Sequence, residues 1–221
     1  MKITTNTLNV LKNFSKINPS ILIQEGNTLR TISPNKTIMA KANVDTEFVK
    51  RCAIYNLDRF ISTISLFQDP ELKFGEKSVI INDSNKNSDY YYADENAIKT
   101  PPDREIKLPS VDVTFTLNDA NLKDVERAAG VLQLPEIFVM GDGSKIYIQA
   151  GDSKNPTSDT YSVEIGETKK TFRAIFKVEN IKIIPGEYEV SISSKGISHF
   201  LGKEAEYWIA VEQTSRSEAH V

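Results

Sequence analysis

Residues 53–67, Ala53-Ile54-Tyr55-Asn56-Leu57-Asp58-Arg59-Phe60-Ile61-Ser62-Thr63-Ile64-Ser65-Leu66-Phe67, pass from a β-strand into a helix. Ala53 and Ile54 close the alternating stretch Lys50-Arg51-Cys52-Ala53-Ile54. From Asn56 onward Leu57, Phe60, Ile61 and Ile64 recur at three- and four-residue spacing, which gathers them on one helical face. Asp69-Pro70 ends the pattern, because proline lacks an amide donor and steers the preceding residue out of the helical region. The same strand ending returns in the second half as Ala174-Ile175-Phe176, again with a helix expected after it, over 177–184, stopped by Pro185-Gly186. An echo at an offset of roughly 115 to 121 residues is a duplicated domain, not a short solenoid repeat.

Working outward, residues 5–17 form an amphipathic helix. Leu8, Val10, Leu11 and Phe14 lie on one half of the wheel, with Asn6, Asn9, Lys12, Asn13 and Lys16 on the other. Asn18-Pro19 stops it. Short alternating strands are expected over 20–24, 28–33, 36–43 and 47–54, punctuated by the hairpin signals Glu25-Gly26-Asn27 and Pro34-Asn35. Three more, over 72–74, 79–82 and 90–93, follow the second helix. Residues 94–110 carry Pro101, Pro102 and Pro109 among charges and read as an extended connector.

The second half repeats this order. A strand over 111–117 leads to Asn118, a helix N-cap, and to a helix over 119–132 with Leu122, Val125, Ala129 and Leu132 inward. Pro135 breaks it, as Pro19 breaks the first. A hairpin across Gly141-Asp142-Gly143, strands over 145–150, 160–165 and 171–176, the fourth helix, and strands over 187–193, 197–201 and 207–212 complete the chain. The expected organisation is an α+β pair of domains, 1–93 and 111–213, joined by the connector 94–110 and ending in a polar tail, 214–221.

Composition bounds the function. With 221 residues, 39% hydrophobic and 26% charged, each half has ample apolar material for a core. The net charge of −3 shows no bulk excess of basic residues, so a nucleic-acid surface would require charges sorted by face. The single cysteine, Cys52, has no disulfide partner within the chain; it fits a reducing cytoplasm and a buried position. No apolar run approaches membrane-spanning length, so no membrane is expected. Catalytic signatures are missing: the two histidines are His199 and His220, no Cys/His cluster has metal spacing, and Gly141-Asp142-Gly143-Ser144-Lys145 resembles a phosphate loop only superficially. Asp152, Asp159 and Glu164 carry no supporting pattern. Neither an enzyme nor a cofactor is expected.

A second set of residues carries a resemblance: Leu8-Asn9-Val10-Leu11-Lys12-Asn13-Phe14, Ala53-Ile54-Tyr55-Asn56-Leu57 with Phe60-Ile61 and Ile64-Ser65-Leu66, Ile183-Ile184-Pro185-Gly186-Glu187-Tyr188, and Glu206-Tyr207-Trp208-Ile209-Ala210-Val211-Glu212. In order and spacing, over essentially the whole chain, these resemble the DNA sliding clamps of large T4-like phages, the polymerase processivity factors. The resemblance implies the DNA-clamp fold, in which each domain sets two helices on a curved antiparallel sheet. It also implies a homotrimer around double-stranded DNA with no base readout. Its partners would be a DNA polymerase C-terminal tail and an ATP-driven clamp loader, and phage members also act in late transcription. A phage tail or baseplate protein built from duplicated β-rich domains is the competing reading, and a nuclease or other DNA-processing enzyme a more distant one.

Two groups of residues would do the work. Lys12 and Lys16, Arg59, Lys123 and Arg127, and Lys177 and Lys182 lie off the apolar stripes of the four helices and would face phosphates in a ring. The ordinary reading of a charged helix face is solvation, and Asp124 and Glu126 sit beside Lys123 and Arg127. For the partner, strand alternation turns Trp208, Ala210 and Glu212 opposite to Tyr207, Ile209 and Val211, and Met39 opposite to Ile38 and Ala40. An outward Trp208 and Met39, with Ile106 and Leu108 of the connector, Pro185 and Ala210, would form an apolar docking patch. The plainer alternative is that Trp208 packs beneath the connector.

Overall fold

Thr4 starts the first helix. Its hydroxyl accepts a hydrogen bond from the amide of Thr7 at 3.1 Å, satisfying one of the donors that every helix leaves unpaired. Helix α1 (Thr5–Ile17) buries Val10, Leu11 and Phe14 completely, a contribution of about 1.5–3 kcal/mol each. The computed structural model describes residues 1–212, which divide into a first unit, Met1–Arg104, and a second that begins at Glu105. Gln213 and the expected polar tail lie outside the described residues.

In the first unit α1 is followed by β1 (Ile21–Ile23), β2 (Gly26–Ile32), β3 (Ile38–Phe48) and β4 (Cys52–Ile54). Asn56 then caps α2 (Leu57–Ile64), accepting from the Arg59 amide at 2.8 Å, and a meander of β5 (Glu71–Phe74), β6 (Ser78–Asp83) and β7 (Lys86–Tyr91) completes the unit. β1 pairs antiparallel with β4, Ile21 opposite Ile54, and β2 with β3. The second unit runs β8 (Val113–Leu117), α3 (Asp119–Leu132), β9 (Glu136–Asp142), β10 (Lys145–Gly151), β11 (Tyr161–Glu167), β12 (Thr171–Lys177), β13 (Tyr188–Ser193), β14 (Ile197–Gly202) and β15 (Glu206–Ala210). Here β9 pairs with β12, Ile137 opposite Phe176, and β13–β14–β15 form the meander.

The two units therefore share helix, four strands with first and fourth paired, helical turn, and three-stranded meander. They agree in a further detail. β8 pairs with β13 in the second unit, and in the first the backbone of Met1 exchanges hydrogen bonds with Leu72 of β5 at 2.7 and 2.8 Å. As expected, Cys52 is buried and the Gly141–Gly143 turn joins two strands.

Several expectations are corrected. The fourth helix does not form: β12 continues through Lys177, and only a 3-10 turn, Val178–Asn180, follows. β-branched Val178, Ile181, Ile183 and Ile184 disfavour a helix, and Pro185 restricts the residue before it. Among the described residues the second domain thus has one α-helix instead of two. The strands expected over 36–43 and 47–54 are instead the long β3 and the short β4. Thr46, within β3, is buried, accepts from the Thr4 amide at 3.1 Å and belongs to the packing of α1. The strand expected over 90–93 is Lys86–Tyr91, and the stretch expected to be wholly extended holds a 3-10 turn, Glu95–Ala97. Asn13, assigned to the polar face of α1, is buried, while Leu132, assigned to the core, is 37% exposed.

Candidate nucleic-acid and partner surfaces

The basic candidates fall into unequal sets. α1 contains no acidic residue, and Lys12 and Lys16 stand on its exposed face, one turn apart. Arg59 is exposed on α2, which packs beside α1. Among the described residues none of these three has a carboxylate partner. On α3 both cations are answered within the helix: Lys123 by Asp119 and Arg127 by Asp124, the latter at 2.9 Å. Glu126 adds a further carboxyl, held above the ordinary range by burial and by the charge of Asp119. Lys177 ends β12 and lies 3.6 Å from Glu212, and Lys182 follows the 3-10 turn, so neither sits on a helix. Spacing alone made the pairs on α1 and α3 look equivalent; the interleaved acids of α3 distinguish them.

The partner candidates need a correction. Trp208 stands opposite His199 and alternates with the fully buried Tyr207 and Ile209. Yet Trp208 is 7% exposed and Met39 4%, so neither is an outward side chain. Alternation gives the side of a sheet but not what covers it. Ile106, Leu108 and Ala210 are half-buried and Pro185 is exposed. The segment before Pro185 is pinned from within its own unit: the Ile184 amide donates to the Tyr207 hydroxyl at 3.1 Å, and the Tyr188 hydroxyl donates to the Ile184 carbonyl.

Sequence reasoning missed a groove of about 360 Å³ between α2 and β7, lined by Tyr55, Asn56, Arg59, Thr63, Ser88, Asp89, Tyr90 and Tyr91. Tyr55 and Tyr91 are 64% and 71% exposed, and exposed tyrosines flanking a strand edge were the available signal. Among the described residues β7 is the outer strand of its sheet, paired with β6 alone, and β11 is likewise the outer strand of β11–β10–β9–β12. Each unit therefore ends in an open strand edge. Among the described residues no group of His, Cys, Asp and Glu could hold a metal, and no helix is long and apolar enough to cross a membrane.

Comparison with known proteins accords with this architecture. Residues 3–99 match the DNA polymerase processivity factor family, and residues 114–213 match the C-terminal domain of the gp45 sliding clamp. The sliding clamp of Vibrio phage KVP40 is 32% identical over 219 residues, covering 96% of this chain and 99% of the relative. That of Enterobacteria phage T4 is 27% identical over 224 residues, covering 97% and 98%. Among solved structures, A. fulgidus PCNA, determined with the C-terminal region of FEN-1 bound, shares the fold with a TM-score of 0.70. The identity is 15%, over 96% of this chain and 97% of that one. With its two matching halves and its near-complete overlap with these phage proteins, the chain belongs to the sliding clamp family, the DNA polymerase processivity factors, and is not an enzyme.

Proposed function

We propose that three copies of this chain close head to tail into a ring around duplex DNA and tether the replicative polymerase through its C-terminal tail. The observation that carries this reading is the pair of open strand edges, β7 in one unit and β11 in the other. Unpaired edges invite pairing. Two different edges on one chain make a heterologous contact, which forms a closed ring when its rotation closes. β11 of one copy would add to β7 of the next, beside the Tyr55–Arg59–Tyr91 groove. Six units around the hole is the count that the family resemblance suggests.

In such a ring Lys12, Lys16 and Arg59 would attract phosphates without reading bases, with weaker help from Lys123, Arg127, Lys177 and Lys182. Sparse contacts suit sliding, because the lifetime on DNA then depends on ring opening and not on contact energy. Of the expected docking residues, Ile106, Leu108, Pro185, Trp208 and Ala210 of the second unit would receive the polymerase tail; A. fulgidus PCNA binding the C-terminal region of FEN-1 is the precedent. An ATP-driven loader would open the ring, a late-transcription partner would use the same tail site, and the work would proceed in the host cytoplasm. The tail or baseplate alternative is set aside, since the relatives described above are clamps.

The deciding experiment joins sedimentation with retention on DNA. A mass three times that of the chain, with retention on circular but not linear duplex, is the expected result. A monomer at every concentration, or equal loss from both DNAs, overturns the reading.

A further inference from the structure

β14 and β15 pair so that His199 stands directly opposite Trp208, and Ser191 of β13 stands opposite His199. The imidazole and indole planes lie 20° apart with centroids separated by 4.7 Å. That separation matches the spacing of neighbouring strands, about 4.7–4.9 Å, so both rings stand upright on the sheet, face against face. His199 is itself braced: its Nε2 donates to Oε2 of Glu206 at 3.0 Å, two residues from Trp208 on the same face of β15. The His199 and Glu206 side chains keep 24% and 21% of their surface open, so the pair is half-buried on the sheet face.

We propose that His199 is a positioning residue for partner docking: braced by Glu206, it sets the plane of the nearly buried Trp208 and so pre-orders the small indole edge, 7% exposed, that an apolar side chain of a partner tail meets. This rests on the docking reading above. A tryptophan with no ring beside it can tilt into the vacated space, and the tail must then freeze it on binding. Ordering a side chain at an interface lowers affinity by up to about tenfold. A flat neighbour removes that loss before the partner arrives. The plane of the imidazole matters for this role more than its hydrogen bond, since a carboxylate can hold many groups but only a ring supports the indole face.

The test uses the full chain and a synthetic peptide bearing the C-terminal tail of its cognate polymerase. Trp208 is the only tryptophan, so time-resolved emission anisotropy reports its motion without ambiguity. His199→Ala should weaken peptide binding by about tenfold and add fast motion of the indole in the free protein. His199→Phe, which restores a flat ring but not the bond to Glu206, should recover most of both. Should His199→Ala fail to fold, His199→Leu, which fills the space without a flat ring, gives the same comparison with His199→Phe. Equal loss in the Ala and Phe variants, or wild-type binding by His199→Ala while Trp208→Ala binds poorly, overturns the inference and leaves the docking reading standing. Wild-type binding by Trp208→Ala overturns the docking reading and this inference with it.

Discussion

The ring of Tyr90 packs edge-on against Phe60, with centroids 5.1 Å apart at 68°, and its hydroxyl donates to the Asn56 carbonyl at 2.9 Å. One side chain thus ties the open edge of β7 to the N-cap of α2. Tyr90→Ala should cost about 1–3 kcal/mol of stability, and Tyr90→Phe about 1 kcal/mol, the worth of a single hydrogen bond. Chemical denaturation gives both values. If β7 joins neighbouring copies, Tyr90→Ala should also raise the concentration at which the assembly dissociates, whereas Tyr90→Phe should barely change it. An assembly insensitive to Tyr90→Ala would move the contact away from this edge.

Alkaline pH should destabilise the fold by a specific route. Burial pushes the Cys52 thiol from its ordinary 9.0 up to about 12, and burial together with the nearby Cys52 pushes the Tyr92 phenol to about 12. Tyr188 and Tyr207 are also raised, burial again being the largest cause. All four are acids whose folded values exceed their unfolded ones. The unfolded chain therefore loses these protons first. Their contribution is complete below pH 9 and is lost as pH rises toward the folded values. Each group ionised only in the unfolded state takes away about 1.4 kcal/mol per pH unit, less for the more exposed Tyr92. The melting midpoint should fall above pH 9, and Cys52→Ala should flatten the first part of the fall. A wild-type midpoint unchanged to about pH 11 would contradict these assignments.

The fold was largely legible because its helices announce themselves twice, by periodicity and by caps. Thr5–Ile17 and Asp119–Leu132 have the bounds that pattern, Asn18-Pro19 and Asn118 indicate. The fourth helix was expected because Ala174-Ile175-Phe176 echoes Ala53-Ile54-Tyr55 and Pro185-Gly186 offers a stop, while the contacts that hold Ile184 come from Tyr188 and Tyr207. The tyrosines are visible in the sequence, but their reach back to Ile184 is not. The candidate surfaces were legible only in part. Lys12 and Lys16 could be placed on an exposed face, and Trp208 on the side of its strand opposite to Tyr207 and Ile209. Its burial could not be read, because period-two alternation is blind to what lies over the sheet. The α2–β7 groove joins Arg59 to Tyr91 across 32 residues and left no local pattern.

The Ile184 turn offers its own test. Tyr188 is 3% exposed and Tyr207 fully buried, and their hydroxyls bond to that turn and to each other. Tyr188→Phe should cost about 1 kcal/mol, and Tyr207→Phe somewhat more, because it leaves the Ile184 amide without its acceptor. Amide exchange at Ile184 should accelerate more in Tyr207→Phe, which removes the amide's acceptor, than in Tyr188→Phe, which takes a partner from the Ile184 carbonyl and from the Tyr207 hydroxyl. Equal acceleration in both would mean that the whole turn melts as one unit.

The two helical lysine-bearing faces should differ in their use of DNA. Lys12 and Lys16 rise from a helix without a single carboxylate, while Lys123 and Arg127 must leave Asp119 and Asp124 to reach a phosphate. Exposed ion pairs of this kind are worth about 0–1 kcal/mol, so they can break, but breaking them subtracts from whatever the phosphate contact supplies. Lys12→Gln with Lys16→Gln should therefore weaken binding to a short duplex more than Lys123→Gln with Arg127→Gln. Salt dependence separates contact from mere proximity. Each phosphate contact contributes about −0.9 to the slope of log affinity against log salt concentration. The α1 double variant should lose a measurable part of that slope, and the α3 variant should keep it within error. The difference in affinity should also shrink as salt rises, since screening acts within about 8–10 Å at ordinary ionic strength. Fluorescence anisotropy across a salt series reads all of this. An α3 variant with the larger loss of slope would show that its acids release their partners on DNA, and would reassign the principal phosphate-facing helix.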